Sequence, residues 1–100
     1  MTLLQQIIQE YLNEHHPEWK VRDDRPICIA KIIYRDQFQQ PARSSIWILH
    51  ETIEYYSSSI QYVELPYTLE NILPQITRAI KNTKAHNYDI AITSQPRVSE

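Results

Sequence analysis

The sequence predicts a small α+β domain, an antiparallel sheet of about four or five strands with an N-terminal and a C-terminal helix packed on one face. Three observations predict it. Apolar residues recur at the 3.6-residue helical period near both ends of the chain. Between those ends lie alternating runs rich in Ile and Tyr, which fit a pleated, half-buried surface. The polar stretches between the runs are short, and short connections favour antiparallel neighbours with helices stacked on one side. Ile occupies 15 positions against three Val and five Ala. An AT-rich genome would give the same bias, so the periodicities carry more weight than the count.

Taken in order, residues 3–14 form the first helix. Leu3, Leu4, Ile7, Ile8, Tyr11 and Leu12 make one apolar face, with Thr2 as the N-cap. Pro17 stops it, and His15 and His16 suit the negative end of the helix dipole. Residues 18–22 read as a short strand with Trp19 and Val21 on one side. Residues 23–26 make a turn. Residues 27–35 are apolar at both parities, which predicts a central strand covered on both faces. Residues 36–45 are polar, contain Pro41 and read as a loop. Residues 45–51 hold a second buried strand around Ile46, Trp47, Ile48 and Leu49.

Residues 52–65 fit two templates. Ile53 and Tyr55, then Ile60 and Tyr62, alternate as two strands joined by Ser57, Ser58 and Ser59. Ile53, Tyr56, Ile60 and Val63 also fit a helical period, but β-branched and aromatic enrichment favours the strands. Thr68 opens the second helix, with Leu69, Ile72, Leu73, Ile76 and Ile80 on its apolar face. If Asn71 is the N-cap, Pro74 falls in the first turn, where its missing N–H does no harm. Tyr88, Ile90 and Ile92 alternate as a last short strand, and residues 95–100 are a polar tail. The 100 residues make one domain with no internal repeat.

Glycine is absent from the whole chain. That excludes the glycine-rich phosphate loops, the dinucleotide fingerprint and the G-x-S-x-G nucleophile elbow, which need backbone that only glycine supplies. It also predicts longer or looser hairpins, and helix ends closed by Asn13, Asn82 or Asn87 in the left-handed conformation. The single cysteine, Cys28, lies in an apolar run, so it reads as a buried small hydrophobe and permits no internal disulfide. No apolar stretch is long enough to span a membrane, and the N-terminus lacks the basic and apolar regions of a signal peptide. These features point to a cytoplasmic location and away from a membrane.

Each short motif fails on a missing partner. His50 to Glu54 approaches a zincin pattern, but Glu54 stands where the second histidine belongs. On a strand those two positions lie about 13 Å apart, too far to share a metal. His16-Pro17-Glu18 lacks the paired cysteines of a zinc deaminase. Glu18-Trp19-Lys20 has the E-x-K half of a nuclease core without an acidic strand before it. No catalytic residue, metal ligand or cofactor is assigned.

Charge and aromatic placement say more. Residues 44–70 contain four Glu and no Lys or Arg, while residues 71–88 contain Arg78, Lys81 and Lys84 and no acid. Those three step by three along the second helix and could bind an anion or nucleic acid, with Arg22 or Arg43 in support. Cations near a helix C-terminus are also favoured by the dipole alone. Tyr55, Tyr56, Tyr62 and Tyr67 cluster in the acidic stretch near Trp47. Tyr and Trp are enriched at the centres of protein interfaces, and adjacent strand residues point to opposite faces, so one of Tyr55 and Tyr56 should face outward.

The first expectation is therefore a non-catalytic protein–protein interaction module. It would be an adaptor, inhibitor or chaperone-like assembly factor using Tyr55, Tyr56, Tyr62 and Glu54, with another protein or a second copy as partner. The second is a nucleic-acid-binding regulator using Arg78, Lys81 and Lys84. The third is a small hydrolase or nuclease. The order helix, sheet, helix in a small acidic-leaning chain loosely resembles secretion chaperones and small inhibitor or immunity proteins, an analogy of fold only.

Overall fold

A computed structural model describes residues 2–22, 26–35 and 40–87. The elements are α1 (Leu3–His15), β1 (Lys20–Arg22), β2 (Ile27–Arg35), β3 (Gln40–Ile48), β4 (Thr52–Tyr56), β5 (Tyr62–Pro66), α2 (Ile72–Asn82) and β6 (His86–Asn87). The strands form one antiparallel sheet in the order β1-β2-β3-β4-β5. The two-residue β6 pairs with β3 at Ala42 and Arg43, on the flank that β4 occupies further along. This is the α+β architecture expected, with both helices on one face of the sheet.

The register fixes what each face carries. Val21 lies opposite Ile29, Ile29 opposite Ile46, Ile48 opposite Ile53, and Ile53 opposite Leu65. With Trp19 and Tyr55 these residues form the covered face. It packs against Ile8 and Leu12 of α1 and Ile72, Ile76 and Ala79 of α2. Each fully buried large apolar side chain contributes about 1.5–3 kcal/mol, so this one cluster supplies most of the driving force. The Tyr11 hydroxyl and Thr77 Oγ1, 2.5 Å apart, join the two helices.

Local chemistry sets the ends of α1. Thr2 Oγ1 accepts from the Gln5 amide at 3.2 Å, and Gln5 Oε1 accepts from the Thr2 amide at 2.7 Å. This reciprocal cap satisfies two otherwise orphaned donors. Gln9 Oε1 accepts from the Val21 amide at 2.8 Å, so α1 also covers the outer edge of β1. Lys31 lies 5.7 Å from the centre of the Trp19 ring.

Several expectations change. Gln40 to Ser45 belong to β3 rather than to a loop, because the alternation of β2 pairs with them through to Arg35 opposite Gln40. Pro41 is tolerated near the start of β3, where no described strand lies on the side away from β2. β2 is not covered on both faces, since Ile32 is 56% exposed. Helix α2 begins at Ile72, not Thr68. Asn71 is the N-cap residue, as expected, but its side chain accepts from the Thr68 amide at 2.7 Å rather than from a helix amide. Pro74 does fall in the first turn.

Neither helix ends in a left-handed asparagine. The residues that close them, His16 and Thr83, have φ of −144° and −77°. Asn13 lies within α1, Asn82 donates to the Tyr55 hydroxyl at 3.1 Å, and Asn87 is in β6. Among the described residues the left-handed positions are Glu51 (φ 71°) and Ile60 (φ 63°). Both lie in the connections around β4, where glycine or asparagine would be expected. The turn at 23–25, the strand at Tyr88, Ile90 and Ile92, and the tail at 95–100 lie outside the described residues. No described helix is long and apolar enough to cross a membrane.

Candidate functional site on the open sheet face

The second face of the sheet carries the alternate residues, and no described helix covers it. On β4 and β5 it presents Glu54 opposite Glu64 and Tyr56 opposite Tyr62. Trp47 of β3 lies opposite Glu54. The Tyr56 and Tyr62 rings meet edge to face with centroids 5.2 Å apart, a preferred aromatic geometry. They are 44% and 47% exposed. The Tyr62 hydroxyl donates to a Glu54 carboxylate oxygen, and the Thr52 hydroxyl donates to the other at 3.4 Å.

Glu54 titrates above the usual carboxylate range. Desolvation is the largest cause and the neighbouring Glu64 charge the second, while the Thr52 hydrogen bond opposes them. The acidity read from the sequence is thus concentrated at a cross-strand pair beside two tyrosines.

Tyr55 does not belong to this surface. It is 4% exposed and sits in the core on the covered face. The alternation that places Tyr56 outward forces Tyr55 inward, so it is removed from the contact residues. Tyr56, Tyr62 and Glu54 remain together.

The basic residues divide differently from the expectation. Arg78 and Lys81 are on the exposed side of α2, in the helix layer. Lys84 lies beyond the helix, and its amide donates to the Tyr56 carbonyl at 2.8 Å. The spacing by three therefore does not make one helical stripe of all three. Arg22 and Arg43 instead lie on the open sheet face with Lys20. A depression of about 400 Å³ lies here, lined by Lys20, Arg22, Ala30, Ile32 and Arg43, with Glu18 and Lys31 also at its wall. Arg43 is 4% exposed there. The open face is thus acidic and aromatic on β4 and β5, and basic on β1 to β3. Sequence reading found Arg22 and Arg43 only as supports, because three separate segments contribute this patch and only the register joins them.

The motifs remain apart. His50 is exposed in the bend before β4, near Glu51, and Glu54 is further along the strand. Glu18 lies 4.0 Å from Lys31, while Trp19 points into the core. Cys28 is buried. Among the described residues no group of three or more His, Cys, Asp or Glu could hold a metal. The chain matches no protein-family model, and no curated protein or solved structure is significantly similar to it.

Proposed function

We propose that the protein is a non-catalytic interaction module that binds another protein through the open face of β4 and β5. Tyr56, Tyr62 and Glu54 make the contact, with Trp47 and Glu64 beside them. One observation carries this reading. Two tyrosine rings pack edge to face, each nearly half exposed, on a face that no described helix covers. Such rings bring large contact area with few rotamers to freeze, and their hydroxyls accept a polar rim. Glu54 supports it further, because its partly desolvated carboxylate gains from a cationic group brought alongside.

The test replaces Tyr56 and Tyr62 by Ala and captures partners from the native host with wild-type and variant baits. Loss of co-purifying protein with the fold retained supports the reading. An unchanged partner set overturns it.

The depression at Lys20, Arg22 and Arg43 favours a second reading, in which the basic half of the same face holds an anion such as a nucleic-acid phosphate. Binding to nucleic acid would then fall steeply with salt. Lys20→Ala would weaken it, and absence of binding at low salt would remove it.

A further inference from the structure

The two edges of the sheet are not equivalent. At β1, Gln9 of α1 occupies the outward-facing amide of Val21. Among the described residues nothing comparable occurs at β5. The pairing pattern shows which of its groups face out. The Ser57 amide donates to the Gln61 carbonyl, and the Tyr67 amide donates to the Glu51 carbonyl. These bonds extend the β4–β5 register, in which Tyr55 opposes Val63 and Ile53 opposes Leu65. Antiparallel pairs alternate between bonded and non-bonded. Val63 and Leu65 therefore bond inward to β4, and Tyr62 and Glu64 point their amides and carbonyls outward. β5 ends the strand order.

The free edge is short and bracketed. At one end Pro66 has no amide, and its carbonyl accepts from Gln75 Nε2 at 2.7 Å. At the other, Ile60 leaves the extended conformation at φ 63°, and its amide already donates to the Ser57 carbonyl at 2.8 Å. Two donors and two acceptors remain between the brackets, on Tyr62 and Glu64.

We infer that β5 pairs with β5 of a second copy, antiparallel across a two-fold axis at Val63, to make one continuous sheet. Symmetry limits the registers. Placing Tyr62 opposite the second copy's Glu64 forms four main-chain hydrogen bonds and uses every free donor and acceptor on both chains. Shifting two residues one way brings Glu64 onto the second copy's Glu64 and Tyr62 onto its Pro66, which joins like charges and loses a donor. Shifting the other way brings Glu64 onto the second copy's Ile60, whose amide is already engaged.

In the satisfied register each carboxylate meets a tyrosine, and the half-buried Val63 gains an apolar neighbour at the axis. The edge is thus complementary to itself, which favours a second copy over an unrelated strand. The inference does not rest on the open-face reading, because the hydrogen bonds that carry it come from the main chain of the edge, and the Tyr62 and Glu64 side chains enter only in choosing the register.

The test measures mass by sedimentation equilibrium over a wide concentration range, together with amide exchange. The wild-type mass should rise from one chain toward two. Over the same range exchange should slow at the Tyr62 and Glu64 amides, while Val63 and Leu65, already bonded to β4, should not respond. Glu64→Pro removes one outward amide and leaves the β4 ladder intact, so it should stay monomeric and folded. Tyr62→Glu keeps every main-chain donor, sets like charges across the axis and should also stay monomeric. It serves if the proline variant fails to fold. A single-chain mass at all concentrations overturns the inference and leaves the edge to an extended segment of another protein. A dimer whose Tyr62 and Glu64 amides show no added protection, or one that persists in a folded variant, also overturns it.

Discussion

Tyr55 and Tyr56 are neighbours on β4 and share almost nothing else. Tyr55 is packed among Ile53, Ile76 and the rest of the core cluster, with its hydroxyl held by Asn82. Tyr56 stands on the opposite face, edge to face with Tyr62 and nearly half exposed. Ile29 and Ile32 repeat the contrast on β2, one fully buried and the other more than half exposed. Residue type does not decide between stability and surface here. Parity along the strand does, once two helices have chosen which side to cover.

The sharpest way to break this comparison is to truncate both tyrosines. Tyr55→Ala should cost about 3–5 kcal/mol in chemical denaturation, the loss typical of a large buried ring. Tyr56→Ala should cost less than about 1 kcal/mol, as surface changes usually do. Similar losses at the two positions would mean that the faces are not distinct. The β2 pair gives a second, smaller test. Ile29→Ala should lose about 2–5 kcal/mol, and Ile32→Ala a fraction of that.

Next in size is the turn between the two outward tyrosines. Ile60 is β-branched, exposed and left-handed, a conformation that costs a non-glycine residue about 1–2 kcal/mol. Ile60→Asn should therefore raise the denaturation midpoint, by up to about 1 kcal/mol of stability, without moving either face. Destabilisation would show that Ile60 holds a contact outweighing its strain. Tyr55→Phe isolates the hydroxyl from the ring and should cost about 1 kcal/mol for the Asn82 bond.

The smallest effect is electrostatic. Folding raises the Glu54 pKa through desolvation and Glu64. The native state therefore binds more protons than the unfolded chain just above the ordinary glutamate pKa. Stability should fall slightly as pH rises through the Glu54 transition. Glu54→Gln should flatten that slope, and an unchanged slope would separate Glu54 from it.

Much of this was legible in the sequence because local signals agreed. The helical period and Thr2 mark α1, and the serines of 57–59 divide β4 from β5. The start of β3 was not legible. Pro41, Arg43, Ser44 and Ser45 carry no strand signal of their own and are extended because β2 offers them a ladder. The alternation at Tyr55 and Tyr56 said that one must face outward. Choosing which required the helices, whose packing is a tertiary fact. The Lys20, Arg22 and Arg43 patch needed the register of three strands, and no local pattern encodes that.

β6 has a consequence of a different kind, in the order in which the sheet can be completed. Its two residues close the flank of β3 at Ala42 and Arg43, yet they come about forty positions later in the chain. During synthesis that flank stays an open strand edge while β4, β5 and α2 are already being made. The contact is costly to close, because loop entropy is lost before the pairing returns it. A nascent chain halted before His86 would expose a raw edge in the middle of its sheet, not at the margin. The centre of the fold is thus sealed only once His86 and Asn87 have been made.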